Sequence, residues 1–224
     1  MDWEFSTATA EGTQRLAGNL ARMLDAGDLV ILSGGLGAGK TTFTQGLGRS
    51  LGVRDGIISP TFVLVRIHPN LPDGPRPGGP DLVHVDAYRL GSEAEIDDID
   101  LENTMDSAVT VVEWGAGRVE HLAASWLEIE LDRATGAAGP GADDGGRDDG
   151  RADGRDHGPG GMGADGSFDE DDADEPRTLR LRAVGPRWDG VDFSALAGAV
   201  NAAGADNVSG GTKGMAESSK DDVE

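Results

Sequence analysis

Three short, largely apolar runs punctuate the chain: residues 29–32 (Leu-Val-Ile-Leu), 82–85 (Leu-Val-His-Val) and 109–112 (Val-Thr-Val-Val). Runs of this length without clean polar alternation are what parallel strands covered on both faces require. The second and third end in carboxylates, Asp86 and Glu113. Between them the period changes to that of a helix. Leu16, Leu20, Met23 and Leu24 form one face behind Thr9, a suitable N-cap, with Gly27 expected to stop the helix. Phe43, Leu47 and Leu51 recur at i, i+4 and i+8. Ser92 and Glu95 make a capping box for a short helix through residue 99. Residues 3–6 suit a short edge strand, 63–67 a β-rich run, and 126–131 and 178–184 two further strands. The Pro- and Gly-rich stretch 69–80 reads as a surface loop, and 193–202 as a last helix. Alternating strands and helices predict an α/β fold with a mostly parallel central sheet.

Composition divides that fold from its appendages. The chain has 224 residues, 36 of them glycine, and a formal net charge of −22. Residues 132–175 carry 14 acids against 4 arginines, and residues 201–224 carry 5 acids against 2 lysines. Neither segment has the apolar content to offset ordering entropy, so both are expected to be disordered. The expected organisation is one domain formed by 1–131 and 177–200, an acidic Gly-rich insertion at 132–176 inside a hairpin, and a tail at 201–224. So acidic a chain is repelled by a phosphate backbone, which disfavours stable direct binding to nucleic acid. It has no cysteine, which excludes disulfides, Cys-ligated zinc and thiol catalysis. The start, Met1-Asp2-Trp3-Glu4-Phe5, has neither the basic region nor the apolar stretch of a signal peptide, and no run approaches a membrane span. A cytoplasmic protein is expected.

The first apolar run leads into Gly34-Gly35-Leu36-Gly37-Ala38-Gly39-Lys40-Thr41, the spacing G-x-x-x-x-G-K-[ST]. With a buried strand before it and a helix after it, this is a phosphate-binding loop, and it predicts the three-layer fold of P-loop NTPases. Glycines let consecutive N–H groups curl around an anion, Gly37 and Gly39 being the bending residues. Lys40 reaches the terminal phosphates of a nucleotide, Thr41 is placed to ligate Mg2+, and the helix N-terminus favours negative charge. Leu32-Ser33-Gly34-Gly35 imitates a transport-ATPase signature but overlaps the loop and is no separate motif. Asp86 and Glu113 sit at strand ends, where ligands bind in such sheets. One suits the metal and the other a metal-bound or attacking water, in either assignment. His84 suits the core or the backing of that site, while Tyr88 and Trp114 suit packing or the lining of a nucleotide or partner surface. A small-molecule kinase would need an acceptor site and a basic lid, and only scattered arginines are present. A GTPase would need an Asn-Lys-x-Asp motif, which the sequence lacks.

The loop, Ser59-Pro60-Thr61-Phe62, His84-Val85-Asp86-Ala87-Tyr88-Arg89-Leu90 and Glu113-Trp114, in that order and spacing, resemble the bacterial TsaE (YjeE) family. The resemblance runs from about Phe5 to Val184. It implies a P-loop ATPase, binding ATP/ADP and Mg2+, that assists formation of N6-threonylcarbamoyladenosine at position 37 of tRNA with the TsaB–TsaD pair. It implies phosphates on Gly37, Ala38, Gly39, Lys40, Thr41 and Thr42, magnesium on Thr41 and Glu113, and a catalytic or metal-water role for Asp86. It also implies sensitivity at Trp114, Thr61 near the γ-phosphate, Arg177 near the nucleotide, and Thr9 and Thr13 approaching the base. Gly35 stands where the family usually has Asp, and Ala87 where it usually has Leu. No arginine lies beside the loop in sequence, so a slow ATPase completed by its partner is expected.

Overall fold

The computed structural model describes residues 2–133 and 176–196. A seven-stranded sheet holds β1 (Asp2–Thr7), β2 (Leu29–Ser33), β3 (Val65–His68), β4 (Asp81–Asp86), β5 (Ala108–Glu113), β6 (Trp126–Arg133) and β7 (Arg177–Val184) in the order β1-β7-β6-β2-β5-β4-β3. Its centre, β6-β2-β5-β4, is parallel; β1, β7 and β3 add antiparallel edges.

Central strands are buried on both faces, as their unbroken apolar runs require. Val30 and Leu32 of β2 face one core with Val109 and Val111 of β5, while Leu29 and Ile31 face the other with Val83, Val85 and Val112. The first core is covered by α1 (Ala10–Ala21) and α2 (Lys40–Leu51), which bring Leu16, Leu20, Phe43, Leu47 and Leu51 to it. The second is covered by two shorter helices, α3 (Glu93–Asp97) and α4 (Glu102–Met105), through Ile96, Leu101 and Met105. This is the three-layer arrangement expected. Among the described residues no helix is long and apolar enough to cross a membrane.

Glycines set the crossing of α1 and α2. A Cβ at Gly46 would run into the backbone of Gln14, and one at Gly18 would meet Ser50 Oγ at 2.5 Å. The two helices therefore touch backbone to backbone, a separation no larger residue permits.

Three boundaries differ from expectation. Helix α1 ends at Ala21, not at Gly27. Met23 and Leu24 donate their N–H groups to Leu20 and Ala21 in tight turns that keep Leu24 buried without further helix. Gly27, at φ +93°, instead turns the chain into β2 and donates to Ala108 O at 2.9 Å. The run 63–67 becomes strand only from Val65, because Leu64 is left-handed at φ +65°. The capping box at Ser92 forms half: Ser92 Oγ accepts from Glu95 N, but the Glu95 carboxylate turns to Gly91 N. Strands β6 and β7 pair as the expected hairpin, Arg133 opposite Arg177. The insertion between them, the last helix beyond residue 196 and the tail at 201–224 lie outside the described residues.

Candidate nucleotide site

Strand β2, the loop and α2 place the phosphate-binding residues. Gly39 is the N-cap of α2, left-handed at φ +100° and with no side chain to cap the helix. The N–H groups of the first turn are thus left to an external anion. Gly37 is also left-handed, at φ +76°. Ala38 is buried and donates its N–H to Gly35 O at 3.2 Å, which closes the curl; Thr42 lies half-buried in the first turn of α2.

Lys40 is 5 % exposed and folds over the loop, its Nζ donating to Gly34 O at 2.8 Å and Gly35 O at 2.9 Å. The ammonium also lies 3.9 Å from the centroid of the Trp114 ring, a cation–π contact. Burial pushes the Lys40 amine below its usual range, while nearby Glu113 and Asp86 act in the opposite sense. Trp114 is held at φ +63°, unusual for so bulky a residue, and its N–H donates to Leu32 O at 2.8 Å. Its ring packs on Tyr88 at 5.4 Å. Trp114 is thereby turned beneath the lysine.

Parallel register brings Asp86 and Glu113 opposite each other at the ends of β4 and β5, each 3 % exposed. Their partners differ. Glu113 Oε1 accepts from Thr41 Oγ1 at 3.0 Å and from His84 Nε2 at 2.8 Å. The ring must be the donor there, because an ionised carboxylate only accepts. His84 is fully buried and its Nδ1 has no partner, so its polar capacity is spent on Glu113. Asp86 Oδ2 accepts from Ser59 Oγ at 2.9 Å and Thr61 Oγ1 at 2.6 Å, and its Oδ1 from Tyr88 N at 3.0 Å. Thr41 and Glu113 present two hard oxygens within hydrogen-bond reach at the loop. That fits Mg2+, which takes one or two protein oxygens and otherwise phosphate and water.

Every residue expected in the phosphate cradle, and both carboxylates, therefore converge on one end of the sheet. Arg177 is buried at the same place: a Cβ on Gly39 would lie 3.1 Å from its Nε. Thr7 stands opposite Arg177 in register, which puts Thr9 at this end too, with its Oγ1 occupied in capping α1 through Gly12 N at 3.1 Å. Thr13 departs from expectation. It is fully buried, bonded to Thr7 Oγ1 at 2.8 Å, and presents nothing to a ligand. Two features were not anticipated. One is Ser59 on Asp86. The other is Arg133, whose Nη1 lies 3.2 Å from a Cβ built on Gly37. The loop has arginine beside it after all, delivered by strand pairing and not by sequence neighbourhood.

Known proteins resemble this chain. The family model described as "Threonylcarbamoyl adenosine biosynthesis protein TsaE" matches residues 7–138. A Streptomyces coelicolor protein named tRNA threonylcarbamoyladenosine biosynthesis protein TsaE is 44% identical over 186 residues, covering 83% of this chain and 99% of its own. A Bacillus subtilis protein of the same name is 36% identical over 132 residues, 58% of this chain and 78% of its own. The crystal structure of Bacillus subtilis YdiB superimposes with a TM-score of 0.52 at 23% identity, covering 91% of this chain and 97% of that one, a likeness of fold.

Proposed function

The chain belongs to the TsaE family of tRNA threonylcarbamoyladenosine biosynthesis proteins, and on that premise we propose that it binds ATP with Mg2+ and hydrolyses it slowly to ADP. We propose further that this turnover serves N6-threonylcarbamoyladenosine formation in concert with TsaB and TsaD. The observation that carries the reading is the convergence of Lys40, the Thr41–Glu113 pair and Asp86 on one glycine loop at the head of α2.

Each residue has a distinct task. Lys40 exchanges the carbonyls of Gly34 and Gly35 for the terminal phosphates, and so moves from a weak neutral acceptor to a charged one. Thr41 and Glu113 would hold the metal, since their oxygens already lie within hydrogen-bond reach beside the loop; magnesium held there would supply charge neutralisation to the phosphates. Asp86, bonded to the hydroxyls of Ser59 and Thr61, is left to orient the attacking water, with Thr61 beside the γ-phosphate. Arg177 and Thr9 border the nucleotide, and Trp114 backs Lys40.

The test is ADP release by the full chain alone, with TsaB–TsaD, and with a panel of small-molecule acceptors. Slow release alone and stimulation by the pair are expected. Partner-free phosphorylation of a metabolite would replace this reading with a kinase. Normal threonylcarbamoyladenosine in the tRNA of cells depleted of the protein would remove its place in the pathway.

A further inference from the structure

The hairpin β6–β7 reaches the loop with both of its strand ends. Leu127, Ile129 and Leu131 of β6 point into the core beneath α1 and α2, as do Leu181 and Leu179 of β7. Side chains alternate along a strand, so the next positions on that face are Arg133 and Arg177, which stand opposite each other in register. The loop packs directly on this end of β6: a Cβ at Gly34 would run into Leu131 O, and one at Gly39 would lie 3.9 Å from Leu131 Cδ2. The two apolar stripes therefore end in two guanidinium groups laid along the loop, Arg133 against Gly37 and Arg177 against Gly39. With Lys40 and the open N-terminus of α2, three cationic side chains and a positive helix end border the loop from Gly34 to Gly39. Glu113 and Asp86 act on Lys40 from the β4–β5 side, whereas the two arginines line the loop from the β6–β7 side, where they suit the phosphates of the proposed nucleotide.

Resting on the ATPase reading above, we infer that Arg133 is a catalytic residue supplied in cis, its guanidinium contacting the phosphoryl group in transit. In the reaction the water oxygen forms a bond to the γ-phosphorus while the bond from that phosphorus to the β–γ bridging oxygen breaks. The bonding electron pair leaves with ADP, and the water proton passes to the released phosphate and solvent. Negative charge builds on the leaving oxygen and spreads over the equatorial oxygens. A forked, permanently charged donor stabilises both more than it stabilises the ground state. Arg177, more deeply buried and nearer Gly39, is left as a ground-state contact.

The experiment compares ADP affinity, affinity for ADP with aluminium fluoride as a transition-state mimic, and single-turnover hydrolysis in the full chain, its Arg133→Ala variant and Arg133→Lys. Arg133→Ala is expected to keep ADP affinity within about threefold, yet to lose at least about 30-fold in both fluoroaluminate affinity and hydrolysis. Arg133→Lys recovers only part, since an ammonium lacks the fork. Because Lys keeps the charge and most of the stem, it also carries the test should the Ala variant fail to fold. Fluoroaluminate affinity and hydrolysis within threefold of wild type in both variants would overturn the inference. So would a fall in ADP affinity equal to the fall for the mimic, which makes Arg133 a ground-state ligand. Wild-type protein that neither binds nor releases ADP would overturn the ATPase reading itself, and this inference with it.

Discussion

Asp86 and Glu113 occupy matching positions at neighbouring strand ends and are equally buried, but they are anchored to opposite kinds of structure. Glu113 is tied to fixed parts: Thr41 in the first turn of a helix buried along one face, and His84 inside the sheet. Asp86 is tied through one oxygen to Tyr88 N and through the other to Ser59 and Thr61, in a segment whose neighbours Ile58, Phe62 and Val63 are 52 %, 79 % and 54 % exposed. Phe62 itself touches only the Arg89 guanidinium among the ring contacts described, at 5.0 Å. A segment with few buried apolar contacts opens at little cost. Of two similar carboxylates, one is thus a fixed point and the other is held by an exposed segment.

Four changes sharpen or break that contrast. The largest effect is expected from Glu113→Ala, which should cut hydrolysis by about 10²–10³ and abolish the magnesium dependence of nucleotide binding. Metal-free ADP binding should persist, and unchanged turnover would take Glu113 out of the site. Lys40→Ala should weaken ADP by roughly 100-fold, the scale of a charge-assisted phosphate contact. Its effect on the empty protein runs the other way. The folded-state lysine titrates below its unfolded value, so at neutral pH the buried ammonium opposes folding, and that penalty fades only as pH rises through the folded pKa towards the unfolded one. Thermal unfolding of nucleotide-free Lys40→Met should therefore occur no lower than wild type at pH 7, and a clear drop would show that its carbonyl bonds outweigh its desolvation.

His84→Leu should raise the magnesium concentration needed for tight nucleotide binding by about tenfold, whereas His84→Gln, which keeps an N–H donor, should restore most of it. Equal loss in both would mean that the ring serves only packing. The smallest effect belongs to Thr61→Val, about fivefold in hydrolysis, for one hydrogen bond. Here the contrast has its own signature. Amide exchange in residues 58–63 should quicken in Thr61→Val and Asp86→Ala but not in Glu113→Ala, and equal protection in all three would erase the distinction between the two carboxylates.

Much of this site is legible in the sequence, for physical reasons. The loop is contiguous, its strand and helix are declared by apolar runs, and parallel strands ending in acids must bring those acids to one edge. What sequence spacing conceals is contact made through register. Arg133 and Arg177 are 44 positions apart and meet only because β6 and β7 pair, although the stripe Leu127, Ile129, Leu131 extended by two already points to Arg133. Ser59 was read as part of a segment and not as a ligand of Asp86, since nothing local tells a hydroxyl which carboxylate it will find. The end of α1 is hidden in the sequence because Met23 and Leu24 prolong the apolar period after the helix has stopped. Burial, not helix, is what those two positions encode. Thr13 is concealed for the converse reason: a hydroxyl on the right helix faces inward, towards Thr7.

The glycine seam between α1 and α2 has a mechanical meaning. Helices separated by side chains can slide as rotamers change, but Gly46 against Gln14 and Gly18 against Ser50 leave almost no compliant layer. The pair behaves as one stiff lever. Thr9 sits at the start of one arm, Lys40 and Thr41 at the start of the other, so a push that tilts α2 displaces Thr9 by the same rotation. A displacement at the head of α2 is then passed to the N-terminal edge of the sheet with little give between the helices.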